Sequence, residues 1–390
     1  MPSPTILLWR LGALGDSLLL LPALAALRAV PEFANHKIVV AGAHANLAPA
    51  RWAGLADAFV DASAPGLAPL SSGQPAGAGL LPPDIAVAVV WSARHAEIAE
   101  GLARMGIARV VAAPALPPDR TPVVDHYLTT LAPLGVRPIA FTLRPPEAGR
   151  AATTAAWRAA TAGATGPVAL LHPGAGSRLK RWPLAHYLAL ARMLRADGTT
   201  VTWTTGPADD KSRAALIDAG EGQRLLPPLD VAGLAAVLAR ASVVVSADCG
   251  VAHLTALLAV PSVVLFGPTD ARLWGPPGPR TTVLHLALPC APCGDLAPRC
   301  PSRICLRGLS VAAVYDAVQA HMRDENGATG ATDDGNARGA VSAGTALWRG
   351  PSRPAVSHPP APAPAPPAPL RVATWARART WAARSSREPG

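Results

Sequence analysis

The stretch Val243-Val244-Val245-Ser246-Ala247-Asp248-Cys249-Gly250-Val251-Ala252-His253 reads as an apolar strand that ends in an acid and a glycine, with a helical pattern opening behind them. A helix start at that place offers free backbone N–H groups and the positive end of a dipole to an anion, and His253, one turn in, adds another donor. The pattern predicts a phosphate pocket built around Asp248, Gly250 and His253. A buried, hydrogen-bonded histidine at a helix start is the alternative reading of His253, and Cys249 reads as a small packing residue.

Two other segments share the strand, turn and helix layout. Thr5 to Arg10 reads as a buried strand, Leu11 to Gly15 as a tight turn and Asp16 to Arg28 as an apolar helix. That places Asp16 at the N-cap, where a carboxylate satisfies orphan N–H groups and suits the dipole. Arg10, at the strand end, either binds an anionic group or pairs with a neighbouring acid. The glycines do not fit G-x-G-x-x-G, so the dinucleotide fingerprint is absent. The third segment, His172-Pro173-Gly174-Ala175-Gly176-Ser177-Arg178-Leu179-Lys180-Arg181-Trp182-Pro183, lies between an apolar strand and a helix starting near Pro183. Its glycine-rich turn, with Lys180 close by, is a second place where N–H and ammonium groups can cradle phosphate. His172 reads as a structural strand-end residue, and Trp182 and Trp91 as packing.

Read in order, Arg10-x-x-x-x-Gly15-Asp16 with Pro22-Ala23-Leu24, His172-Pro173-Gly174 followed by Lys180-x-Trp182-Pro183, and Asp248-x-Gly250-x-x-His253 followed by Phe266-Gly267-Pro268-Thr269 resemble glycosyltransferase family 9, the heptosyltransferase-like enzymes of lipopolysaccharide assembly. The resemblance runs from about residue 5 to about residue 320. It implies an α/β chain with the GT-B fold, two Rossmann-like domains facing across a cleft. It also implies an inverting transfer of a sugar from a nucleotide donor, ADP-heptose favoured, to a lipid-linked glycan acceptor such as the lipopolysaccharide core. Cys249 departs from the family pattern, where a threonine is common, and a hydroxyl contact to phosphate is thereby put in doubt.

Such a transfer needs a base beside the acceptor hydroxyl and charge stabilisation on the departing diphosphate. Asp16 is the expected base. Lys180, His253, Asp248 and the N–H groups around Gly174, Gly176 and Gly250 are expected to form the donor phosphate site. Arg10 and Gly15 are expected on the acceptor side. Asp209 or Asp210, after the strand Thr200–Thr204, is expected to accept from the ribose hydroxyls unless the pair is only a helix cap. No Asp-x-Asp motif follows a strand, so the reading requires no catalytic cofactor. A nucleotide-sugar 2-epimerase of the same architecture and a non-catalytic nucleotide-sugar-binding protein are the alternative functions.

With 390 residues, 50% of them hydrophobic and 15% charged, the chain holds enough apolar residues for two buried parallel sheets. Strands are expected at Thr5–Arg10, Lys37–Ala41, Ala58–Val60, Ile85–Trp91 and Arg109–Ala113, then at Val168–Leu171, Thr200–Thr204, Ser242–Ser246 and Ser262–Phe266. Residues 1–150 form the expected acceptor-binding domain and residues 151–323 the nucleotide-sugar-binding domain, joined through a connector over Thr142 to Gly166. Residues 324–390, rich in Pro, Ala and Arg, are expected to be a disordered tail.

The formal net charge of +10 does not indicate nucleic acid, because eight arginines against one glutamate in residues 338–390 supply most of it. The first apolar run lacks the features of a signal peptide and is too short to span a bilayer. A cytoplasmic protein is expected, resting peripherally on an anionic membrane surface through the Arg- and Trp-bearing stretch Leu370 to Trp381, or carrying that stretch as an unstructured basic end. Cys290, Cys293, Cys300 and Cys305 supply the ligand count of a structural zinc, with free or redox-paired thiols as the other reading.

Overall fold

The computed structural model describes residues 3–329 and 370–374. Its first half is built from β1 (Thr5–Arg10), α1 (Leu14–Arg28), β2 (Lys37–Gly42), α2 (His44–Trp52), β3 (Ala58–Asp61), β4 (Ile85–Trp91), α3 (His95–Arg104), β5 (Val110–Ala113) and α4 (Val123–Leu131). The five strands form one parallel sheet in the order β3-β2-β1-β4-β5. After β3 the chain returns to the other side of β1, so the switch point of the sheet lies between β1 and β4. In open α/β sheets ligands bind outside the carboxyl ends of the strands at such a point. The end of β1 is Arg10, six residues before Asp16.

The second half repeats the plan with α5 (Glu147–Ala160), β6 (Val168–His172), α6 (Leu184–Ala196), β7 (Thr200–Trp203), α7 (Asp210–Asp218), α8 (Val231–Leu238), β8 (Val243–Ala247), α9 (Gly250–Leu257), β9 (Ser262–Leu265), α10 (Ala271–Trp274), β10 (Thr281–Leu286), α11 (Ile304–Arg307), α12 (Val311–Thr329) and β11 (Leu370–Thr374). Its sheet runs β11-β10-β9-β8-β6-β7. The switch point here lies between β6 and β8, whose carboxyl ends carry His172-Pro173-Gly174 and Asp248-Cys249-Gly250. The inner strands are continuous apolar runs buried on both faces, as helices on both sides of a parallel sheet require.

All nine expected strands are present, each within a residue or two of its expected ends. Two more were not anticipated. β10 continues the parallel sheet beside β9. β11 lies inside the stretch expected to be a disordered tail, and pairs antiparallel with β10 from Thr282 opposite Thr374 to Leu286 opposite Leu370. The correction has a physical reason. β10 ends the parallel sheet with an open row of N–H and C=O groups, a ready template for a further strand. Leu370-Arg371-Val372-Ala373-Thr374 is the one short stretch after the Pro-Ala tract with β-forming residues and no proline. The remainder of the expected tail, residues 330–369 and 375–390, lies outside the described residues, whereas α12 carries the helix past Asp324 to Thr329.

The two halves share a core. One hydrophobic cluster joins Leu18, Leu21 and Leu24 of α1 and Tyr127 of α4 to Val237 of α8 and Val251, Leu254 and Leu257 of α9. That shared burial explains why α1 is apolar on nearly all sides: it faces its own sheet and the helices of the other half together. Within the expected connector, α5 packs on α8, and the N–H of Leu143 donates to the carbonyl of Leu257 at 2.7 Å.

Ending the chain after Thr329 removes β11 and reopens the edge of β10. Ladder hydrogen bonds offset by the ordering of a tethered strand leave about 1 kcal/mol, a fall in melting temperature of roughly 2–4 °C for a unit of this size. Thermal unfolding of the truncated chain checks it, and an unchanged midpoint would show that β11 contributes nothing.

Candidate active site

Asp16 is the third residue of α1, whose N-cap is Ala13. The helix therefore starts two residues earlier than expected, and Asp16 caps from inside: its Oδ2 accepts the Ala13 N–H at 2.9 Å. Its Oδ1 accepts from Arg10 Nη2 at 2.6 Å. Arg10 is buried, gives its Nε–H to the Tyr127 hydroxyl at 2.7 Å, and also donates to the Leu11 carbonyl. Arg10 thus pairs with the neighbouring acid. Tyr127, fully buried against Trp91, anchors it from α4. Sequence reasoning missed Tyr127 because it lies 117 residues from its partner, in a helix without a motif. The Asp16 carboxylate keeps 21% of its side-chain surface exposed, enough to reach a ligand.

The residues expected at the donor phosphate site come from the ends of β6 and β8. Ser177 caps a single 3-10 turn, Arg178–Lys180, by accepting the Leu179 N–H at 3.2 Å. From that turn Lys180 Nζ reaches Asp248 Oδ2 at 2.8 Å. The Thr269 hydroxyl donates to the same oxygen at 2.5 Å, so the Phe266-to-Thr269 segment helps to orient Asp248. Helix α9 opens with no side-chain cap. His253 is buried, and its Nδ1 has no hydrogen-bond partner among the described residues. Burial lowers its pKa, outweighing the pull of Asp248 and Asp16, while Lys180 pushes the same way as burial. Groups from both halves of the chain therefore act on this one imidazole.

The halves meet there without a gap. A Cβ on Gly15 would stand 3.1 Å from His253 Cδ2, and a Cβ on Gly250 would stand 3.0 Å from Leu14 Cδ2. Gly15 and Gly250 let the N-termini of α1 and α9 approach. A further bridge runs from Arg120 in the first half, whose Nε donates to Asp270 Oδ2 at 2.7 Å.

Asp209 corrects another expectation. It is buried, and its carboxylate accepts from Arg181 Nη2 at 2.9 Å and from the Gly206 N–H at 2.9 Å, with His172 Nε2 at 3.8 Å. A Cβ on Gly174 would lie 1.8 Å from Asp209 Oδ2, so Gly174 is the notch into which this carboxylate fits. Asp209 holds the glycine-rich loop in place and is not free for a ribose; Asp210, the first residue of α7, is exposed. Arg181 belongs to the same knot and also donates to the carbonyls of Ala175 and Ala208. Gly176 is exposed, with open space around it. Trp182 is core, its indole N–H donating to the Leu309 carbonyl at 3.0 Å. Burial, helped by Asp248 and Asp209, outweighs the N–H groups of Ala252 and Val251, and the Cys249 thiol is pushed up to about 12, which keeps it protonated.

The four clustered cysteines are free thiols. Burial first, and then its three neighbours, raises the Cys305 thiol, while the N–H groups of Arg303 and Ser302 lower that of Cys300. Cys293 donates its S–H to the Cys290 carbonyl at 3.0 Å. Among the described residues no three His, Cys, Asp or Glu side chains are grouped to hold a metal ion. Cys290 is exposed, whereas Cys305, within α11, is buried.

Removing Arg181 leaves Asp209 buried without its cation, an imbalance that costs about 3 kcal/mol. Arg181→Ala should therefore unfold at clearly lower denaturant than wild type, and a loss within 0.5 kcal/mol, about that of a neutral surface change, would contradict the knot.

His172 is also held below the ordinary imidazole range, with burial outweighing the pull of Asp209. Below about pH 6.5 the unfolded chain takes up a proton that folded His172 refuses, so stability falls as pH drops. Between pH 7.5 and 5.5 this amounts to up to about 1.4 kcal/mol for His172. Denaturant unfolding of wild type and His172→Gln at the two pH values should show the smaller acid loss in the variant. Equal losses would mean that His172 titrates alike in both states.

The sequence model described as glycosyltransferase family 9 (heptosyltransferase) matches residues 88–298, more than half of the chain. A lipopolysaccharide heptosyltransferase 1 of Pseudomonas aeruginosa is 41% identical over 115 residues, 29% of this chain and 32% of that protein, so the match spans about a third of that curated relative's length. Among solved structures, the family 9 glycosyl transferase of Veillonella parvula superposes with a TM-score of 0.64 at 18% identity, covering 83% of this chain and 99% of that one. The E. coli ADP-heptose lipopolysaccharide heptosyltransferase II gives 0.62 at 17% identity, with the same coverage. At these identities the superpositions speak for the shared fold, two Rossmann-like halves of the GT-B kind.

Proposed function

Because the chain belongs to glycosyltransferase family 9, we propose that it transfers a sugar, heptose from an ADP-heptose donor, to a hydroxyl of a lipopolysaccharide-core or related glycan, with inversion. The observation that carries this reading is the convergence of Asp16 from one half with Lys180, Asp248 and His253 from the other, around the contact of α1 with α9.

In this mechanism the acceptor oxygen attacks the anomeric carbon from the face opposite the leaving group, and its proton passes to Asp16. The bond between that carbon and the diphosphate oxygen breaks as the new one forms. Negative charge growing on the diphosphate is met by Lys180, by the N–H groups at the uncapped start of α9 and by His253, whose Nδ1 is buried and unpartnered among the described residues. Donor binding draws Lys180 toward phosphate and relaxes its pair with Asp248. Arg10, held by Tyr127, keeps the Asp16 carboxylate pointed at the cleft. Asp210, exposed at the start of α7, is the remaining candidate to accept from the ribose hydroxyls.

No described helix is long and apolar enough to cross a membrane. A lipid-linked acceptor would be met at a surface on the cytoplasmic side, and the arginines of residues 371–387 would add attraction to anionic lipid.

Asp16→Asn keeps an acceptor for the Ala13 N–H but cannot take a proton. Transfer to a sugar acceptor should fall about 10²–10⁴-fold, while ADP affinity by calorimetry stays within a few-fold. Some thermal stability should also be lost, because buried Arg10 no longer faces a charge. Lys180→Ala should instead weaken ADP binding. Turnover near wild type in Asp16→Asn would place the base elsewhere.

A further inference from the structure

On the outer side of the glycine-rich loop lies a cavity of about 230 Å³ whose wall includes Arg178, Arg181, Arg303 and Arg307, with Trp182 and Ser212. We propose that this cavity binds a phosphate group, at a site separate from the donor's diphosphate.

Four arginines and, among the described residues, no acid line the wall. Arg181 is neutralised from behind by Asp209. Arg303 donates to the Arg178 carbonyl at 3.2 Å and pairs with no acid among the described residues. The side chains of Arg178 and Arg307 have no hydrogen bond or ion pair among the described residues. Convergent like charges repel unless an anion sits between them, and the planar fork of arginine matches the oxygens of phosphate. Arg303 is held at φ 49°, ψ 38°, in the left-handed region. A non-glycine residue adopts that conformation at a cost, and such residues cluster at ligand sites.

The site is not the donor pocket under another description. Lys180 does not line the cavity; it turns to Asp248. Arg178 sits two residues earlier on the same 3-10 turn, where three residues complete a revolution, so the two side chains leave in different directions. A volume of about 230 Å³ also falls below the range that holds drug-sized ligands. It suits a single phosphate, whether free or carried as a phosphomonoester headgroup.

The test uses the full chain. Inorganic phosphate is titrated by calorimetry at low salt into wild type, the double variant Arg178→Gln/Arg307→Gln, and Lys180→Ala, with ADP as a second titrant. Both exchanged arginines are exposed and unpaired, so the double variant should melt like wild type. Phosphate should bind wild type and Lys180→Ala alike. In the double variant it should bind at least about tenfold more weakly, since each charge-assisted contact is of that order, while ADP affinity holds. A parallel sedimentation with phosphatidic acid vesicles, against phosphatidylcholine alone, separates the sources. Binding lost in the double variant assigns a headgroup, and phosphate binding without vesicle binding assigns a soluble phosphate. Phosphate binding that survives in the double variant, that disappears in Lys180→Ala, or that is absent from wild type overturns the proposal. So does an ADP affinity that falls with the two arginines. A failure of sugar transfer or of ADP binding in wild type would sink the proposed function and leave the phosphate result to be read by itself.

Discussion

The contact between the N-termini of α1 and α9 is the constraint on which the rest of the molecule depends. Each helix follows the central strand of its sheet, and each carries a glycine at the point of approach, Gly15 against His253 and Gly250 against Leu14. One interaction therefore brings the switch points of two sheets face to face. The cost of closing two polar helix ends on each other is offset by the apolar surface of α1, α4, α8 and α9 buried behind them, at about 25 cal/mol for each Å² of apolar area. A methyl group at either glycine would push Asp16 on one side away from Lys180, Asp248 and His253 on the other without changing any of these side chains.

Behind that contact stand two buried charged knots of different kinds. Around Asp16, Arg10 supplies the countercharge and Tyr127 fixes Arg10, which leaves part of the carboxylate exposed. Around Asp209 the carboxylate is enclosed by Arg181, the Gly206 N–H and the Gly174 notch. A buried ion pair contributes little net stability, yet breaking one is costly. Such pairs are therefore better suited to fixing a geometry than to stabilising the fold. The first knot aims a reactive group, and the second aims the loop that carries Lys180.

Much of this was legible in the sequence, because strand–turn–helix units in a parallel sheet are local. Apolar runs bounded by glycine and proline locate strands such as Thr5–Arg10 and Val168–Leu171 without any knowledge of their neighbours. The Lys180 and Asp248 positions were readable for the same reason, since each follows its own strand. Tyr127 was not readable, because its role depends on packing between residues 117 positions apart. Asp209 was misread because a turn acid before a helix looks the same whether it faces solvent or folds back onto a glycine of another loop. β11 escaped notice because its pairing is decided by the open edge of β10, which no local pattern of Leu370–Thr374 reports.

The arginine pocket shows the same limit and points to a division of labour on the loop that follows β6. Arg178, Lys180 and Arg181 lie within four residues, and composition alone groups them as one basic patch. The fold sends them to three places: Lys180 to Asp248 at the cleft, Arg181 inward to Asp209, and Arg178 outward beside Arg303 and Arg307. The three charges are consequently not interchangeable. Arg181 is enclosed with a fixed partner and cannot follow a ligand. Lys180 is itself partly exposed although its partner Asp248 is buried, so of the two paired cations on this loop it is the one more open to an arriving phosphate. Arg178 has no partner to give up, so an anion arriving beside it displaces only water. A loop held rigid by its buried charge can in this way hold two further cations apart, Lys180 beside Asp248 and Arg178 beside Arg303 and Arg307, and the two proposed anion sites rest on that separation.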